Sequence, residues 1–264
     1  MVKKPIILLL FLCFWGIQSL YSQKCPNFPE LDRYYNFSIS VGGRLYKKVE
    51  KIRSYGDYSS HPLNPITYSF GLGYELFTPN KWSVKIGLNF ARVPYECEDI
   101  TILHKDVHSI SYKDIVDPFR EFSPILVSLP LTIQYKFKLF THNYFSFNTG
   151  GMALFMPSTA YESRVRALID EEVIAEVYGS RLFSTGSYFH GGFTTGCSYY
   201  LDLKKVLFEF RLTYTAMFQN LLEGEYQYGN LLVSAPTRGT FKVSGDYLEL
   251  SITTHFPKKL KSAK

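Results

Sequence analysis

Outside its N-terminal leader, the chain has no run of about 18 uncharged apolar residues, so it does not cross a membrane as a helix. Cysteine is scarce, 4 residues in all, and none is set in a Cys-x-x-Cys pair or a Cys/His ligand spacing. No metal site and no cofactor are therefore expected. Cys13 lies in the leader, which leaves Cys25, Cys97 and Cys197, an odd number with at least one free thiol. Charge of one sign is also lacking. The net charge is +6, or +6 − 2 = +4 once Lys3 and Lys4 depart with the leader, too mild and too spread for nucleic acid. There is no Gly-x-Ser-x-Gly signature. The one serine–histidine approach considered, Ser187 with His190 on the same strand, is too weak to argue for an enzyme.

What the chain does have is aromatic side chains, 17% of residues, with 21 Tyr and 22 Phe. Such residues favour strands and the interfacial girdles of membrane barrels. Mean hydropathy is only −0.06, as a barrel with a polar inside requires. The N-terminus reads as an export signal over residues 1–22: Lys3 and Lys4, an apolar run from Ile6 to Trp15, and a small residue, Ser22, at the expected cut. Residues 23–34 follow as a periplasmic segment.

From Tyr35 to Phe256 the dominant pattern is period-2 alternation, repeated eight times. In the clearest instance Ile66, Tyr68, Phe70, Leu72, Tyr74 and Leu76 alternate with Thr67, Ser69, Gly71, Gly73 and Glu75. The others run over 37–45, 82–90, 127–137, 145–155, 189–199, 208–216 and 248–256. Connections alternate in length. Tight turns lie at Thr78–Lys81, Thr141–Asn143 and Asp202–Lys205, and long segments run over 47–65, 94–123, 156–187 and 219–245. This predicts an all-β fold: an eight-stranded antiparallel up-and-down transmembrane β-barrel with short periplasmic turns and long extracellular loops. A soluble lipocalin-like barrel would use the same alternation with the apolar face inside. The bulk of the Phe/Leu/Ile face, set against the Ser/Gly/Thr of the other, favours hydrocarbon outside, because an eight-stranded lumen is narrow.

These residues resemble the porin-family outer-membrane β-barrel domain proteins of Gram-negative bacteria, some of which are barrel subunits of the type IX secretion system. The likeness rests on the opening Phe37-Ser38-Ile39-Ser40-Val41-Gly42-Gly43, on Ser128-Leu129-Pro130-Leu131 running into Tyr135-Lys136-Phe137, and on the closing Leu248-Glu249-Leu250-Ser251-Ile252. It implies location in the outer membrane and contact with its lipid, and allows partners in an envelope or secretion complex. The chain departs from the pattern at its end. A basic tail, residues 257–264 with Lys258, Lys259, Lys261 and Lys264, follows Phe256 into the periplasm, with Pro257 placed to stop the strand.

Inward positions carry Arg44, Glu75, Lys85, Lys136, His190, Glu209, Arg211 and Glu249. Lone charges in a narrow interior are costly. A lumen network is therefore expected of Glu75, Glu209 and Glu249 with Lys85, Lys136 and Arg211, acting as a plug rather than a gated ion path. Pro130 removes a ladder hydrogen bond and predicts a bulge, or a fourth strand that begins only after it. His104, Asp106 and His108 share a face if extended but lack a fourth ligand. The segment 164–173 could extend a strand or form a short helix. Glu225-Tyr226-Gln227-Tyr228 could meet a partner or be plain loop. The expected role is a non-enzymatic structural or partner-binding barrel. A small pore for ions or solutes and a soluble periplasmic binding barrel are the alternatives.

Overall fold

A computed structural model describes residues 34–47, 50–55, 58, 61–63, 66–77, 81–92, 96–99, 102–103, 105–107, 109–112, 125–140, 143–157, 160–170, 173–184, 188–203 and 205–257. The export signal, Cys25, His104, His108, Ser187 and the basic tail lie outside these residues.

Eight strands close the barrel: β1 (Tyr34–Tyr46), β4 (Ile66–Phe77), β5 (Trp82–Arg92), β8 (Ile125–Phe140), β9 (Asn143–Phe155), β12 (Phe189–Asp202), β13 (Leu207–Met217) and β16 (Tyr247–Pro257). All neighbours are antiparallel, in the order β1-β16-β13-β12-β9-β8-β5-β4 and back to β1. The first and last strands pair in register from Ser38↔His255 to Tyr46↔Tyr247, so no sheet edge remains. Each alternating segment of the sequence falls inside one barrel strand. Tyr34 and Pro257 are also paired strand residues, so the barrel runs one residue further at each end than expected.

The apolar rows face outward. Leu250 is 63% exposed and Phe147 58%, and every barrel strand adds large apolar side chains to this surface. Serine, threonine and charge turn inward: Ser38, Thr132, Ser146, Thr253 and Glu209 are buried. This is the reverse of a lipocalin-like core and removes that alternative. In water so continuous an apolar surface would associate; hydrocarbon is the solvent it suits. Aromatics gather at both margins. Trp82 packs edge-on to Tyr135 (ring centroids 4.9 Å) near the short turns, and Phe155 lies against Tyr188 and Phe189 near the long connections.

The long connections, expected as loops, are largely strands. β2 (Glu50–Tyr55), β7 (Ser109–Tyr112), β10 (Ala160–Asp170), β11 (Val173–Ser184), β14 (Leu222–Tyr228) and β15 (Thr237–Val243) form one six-stranded sheet in the order β2-β15-β14-β11-β10-β7. β3 (His61–Leu63) and β6 (Glu96–Asp99) pair separately, and Cys97 belongs to β6. Of the segment at 164–173, residues 164–170 are strand in β10 and Val173 begins β11. All four long connections meet at one end of the barrel, and their strands continue beyond it.

Two expectations fail on packing. Pro130 makes no bulge. It pairs with Met152 on one side, and the β5–β8 register is the same before and after it, Ile86↔Leu131 and Asn89↔Ser128. Gly87 sits opposite, where a Cβ would come 3.0 Å from Pro130 Cγ. The missing side chain accommodates the ring without an extra residue. Tyr226 and Tyr228 are not exposed to a partner. They are 2% and 1% exposed, because their parity on β14 turns them toward the barrel mouth.

Candidate functional site: a closed lumen under a folded sheet

The lumen is filled at three levels. Nearest the short turns, Tyr34, Tyr144, Tyr200 and Leu207 form a buried apolar cluster. The hydroxyl of Tyr34, on β1, donates to Asp202 on β12, two strands beyond the β1 neighbour.

Above it lies a charge cluster. Lys136 Nζ pairs with Glu75 Oε1, and Ser83 Oγ donates to the same oxygen (2.9 Å). Lys85 Nζ pairs with Glu209 Oε2 at 2.8 Å, and Arg211 holds Glu209 Oε1 through Nε (2.8 Å) and Nη2. Ser198 Oγ donates to Glu209 at 2.9 Å, and His255 Nε2 stands 3.3 Å from its other oxygen. The Gln134 amide bridges the two halves, its nitrogen toward Glu75 Oε1 (3.0 Å) and its oxygen toward Arg211 Nη2 (2.8 Å). Both glutamates are fully buried, and each carboxylate has a cation and a hydroxyl against the cost of burying its charge, although Glu75 Oε2 has no hydrogen-bond partner of its own among the described residues.

The sixth expected member sits elsewhere. Glu249 lies nearer the long connections and pairs with Arg44 (Nε to Oε2, 2.7 Å), not with a lysine or Arg211. Ser69 donates to its second oxygen at 3.0 Å, and the Arg44 guanidinium lies 4.5 Å over the Tyr247 ring. The cause is stagger: on β16, Glu249 is two turns of the pleat away from Thr253, which faces Glu209. A cavity of about 50 Å³ separates the two groups, lined by Lys85, Arg211 and Glu249 together with polar and apolar neighbours such as Asn89, Met152 and Tyr247.

The third level is apolar. Tyr46, Leu126, Met152, Leu154 and Tyr247 from the barrel mouth join Val165, Tyr178, Leu182, Tyr226, Phe241 and Val243 of the six-stranded sheet in one core. The sheet therefore caps the mouth.

His190, buried at 2% exposure, is also at the mouth end. Arg44, Gln134, Ser83, Ser198 and His255 were legible as inward positions by parity but carry more of the pairing than expected. Glu75, Glu209 and His255 bring ligand-type atoms within 4.8 Å of one another. A cation does not fit there, because Lys136, Lys85 and Arg211 already neutralise the carboxylates.

The cap is fastened by Asp106. Of the sequence cluster His104, Asp106 and His108, this residue proves structural. Its carboxylate accepts from Tyr58 Oη, Val233 N (3.1 Å), Ser234 N (2.7 Å) and Ser234 Oγ (2.9 Å), tying three long connections. Burial alone would raise its pKa; the four donors outweigh this and lower it to about 2. Burial and the same contact push the Tyr58 phenol up.

The sheet's outer face is polar. A cleft of about 450 Å³ crosses β10, β11, β14 and β15 there, between arginines and glutamates.

No family model and no curated protein matches the chain. Among solved structures, the chain is similar to a major outer membrane protein from Thermus thermophilus, with 11% identity and TM-score 0.38 over 85% of this chain and 100% of that one. The N-terminal β-barrel domain of Pseudomonas aeruginosa OprF matches with 10% identity and TM-score 0.31, over 84% and 99%. A mutant of the monoaromatic hydrocarbon channel TodX matches with 6% identity and TM-score 0.21, over 84% and 89%.

Proposed function

We propose that this chain is a non-enzymatic outer-membrane barrel, closed to solutes, that holds its folded sheet outside the cell as a platform for a partner in an envelope or secretion complex. The observation that carries this is the filled lumen: an aromatic floor, a paired charge cluster and an apolar cap, with a cavity of about 50 Å³ between. That cavity has room for a few waters, and the floor and the cap at its two ends support a closed lumen. The export signal and the apolar exterior favour the outer membrane. Short turns inside and long connections outside are the usual orientation of such barrels. The buried glutamates are committed to cations and so are poorly placed for acid–base chemistry.

Two measurements test the reading. In planar bilayers the purified chain is expected to give no steady conductance steps, and large stable steps would replace it with the pore. Cross-linking in intact membranes followed by gentle solubilisation is expected to recover a stoichiometric partner. Recovery of the barrel alone, linked to nothing, would remove the platform role.

A further inference from the structure

The cleft on the sheet's outer face has a chemistry of its own. On one rung of the sheet, Glu162, Arg181 and Glu225 stand side by side on β10, β11 and β14. On the next, Arg164 is followed by Gly179, Gln227 and Arg238. Gly179 brings no side chain to the second rung, and the Glu176 carboxylate lies over it, 2.8 Å from where a Cβ would stand.

The β10–β11 wall is internally satisfied. Arg181 holds Glu162 through Nε (2.8 Å) and Nη2 (2.6 Å), and Arg164 reaches Glu162 (3.0 Å) and Glu176 (3.7 Å). The β14–β15 wall is not. Glu225 and Arg238 are exposed, and among the described residues neither has an ion pair. Glu225 faces Thr240 across the strands, so Arg238 is its diagonal neighbour, about 7–8 Å away. Same-face side chains two residues apart on an extended chain are separated by about 7 Å. The two charges are therefore spaced to meet an acid and a base set in an acid-x-base pattern.

The cleft excludes other occupants. Three arginines balanced by three glutamates offer no field for nucleic acid or an anionic surface. Tyr226, at the cleft floor, and Phe241 are turned inward and buried, and Phe183, exposed on the outer face, does not line the cleft, which leaves a sugar ring little aromatic face to stack on there. A second copy would present a hollow to a hollow.

We propose that this cleft takes an extended polypeptide segment of a partner, its acidic side chain on Arg238 and its basic side chain, two residues away, on Glu225. This rests on the reading of the sheet as the partner platform.

The test is selection of a random octapeptide library on the full chain in detergent. The wild type is expected to enrich acid-x-base peptides in either direction. Arg238→Glu should turn the enriched pattern to base-x-base and Glu225→Arg to acid-x-acid, each weakening the wild-type peptides about 5-fold, the size of one exposed ion pair. Both sites are exposed, and unchanged heat-dependent gel migration confirms folding of each. If one variant misfolds, the other still reports. No enrichment, or enrichment that neither variant redirects, overturns the proposal. So does binding of the wild type to a glycan array that the same variants abolish. A partner cross-linked in membranes that still binds both variants would leave the platform standing and remove the cleft from it.

Discussion

Asp106 ties three long connections through one carboxylate. Its pKa is depressed to about 2, below the roughly 3.9 of an unfolded aspartate. The sign follows: its contribution to stability is present above pH about 4 and fades as pH falls toward about 2. Pepsin cleavage in the capping sheet is expected to rise over that window, and Asp106→Asn should cleave readily throughout and flatten the dependence. A wild type equally resistant at both pH values would show that the carboxylate is not the fastening. Inside the lumen, Lys136→Met strands the buried Glu75 carboxylate, at a cost of about 3–5 kcal/mol. Urea unfolding in lipid vesicles reads this, and adding Glu75→Gln should restore much of it. Parity made these charges legible in sequence as inward-facing, while their partners were not. Glu249 meets Arg44 because depth along the barrel depends on how the strands are staggered, which no single strand encodes.

At the scale of elements, the junction between barrel and cap turns on Gly245. It adopts φ 81°, and a Cβ there would come 2.4 Å from Leu221 Cγ. The next residue, Asp246, accepts from Met217 N at 2.8 Å, clamping β13 to β16 where β14 begins and β15 ends. Gly245→Val is strained in backbone and packing alike. It is expected to undock the cap, seen as faster hydrogen exchange in β14 and β15 with barrel strands still protected. Uniform protection would place the hinge elsewhere. The alternation of β14 was present in the sequence, Leu222, Gly224, Tyr226 and Tyr228 against Glu223, Glu225 and Gln227. It passed for loop because its two aromatics lie next to glutamates and glutamine, and because a strand outside the barrel needs partners that only the fold supplies. Phe241 covers Gly224 and Tyr226 covers Gly239 across the β14–β15 pair, a fit between neighbours rather than a property of either strand.

At the scale of the molecule, one surface is apolar and suited to lipid, and another is polar and suited to water. Leu250, mid-strand on β16 and 63% exposed, tests the first. Leu250→Lys places a charge on the lipid face and should cost up to about 2–4 kcal/mol in vesicle unfolding if it sits near the midplane. In a water-exposed barrel the same change would be close to neutral. The sequence by itself determined the barrel: how many strands close it, where they lie, and which of their faces is apolar. Period-2 alternation is local, and each strand displays its own. Only the tertiary structure decided how side chains fill the lumen, that Glu249 stands apart from the main cluster, and that the long connections form a capping sheet with a charged cleft. Those depend on contacts between segments far apart in the chain, where stagger, parity and side-chain volume are settled jointly.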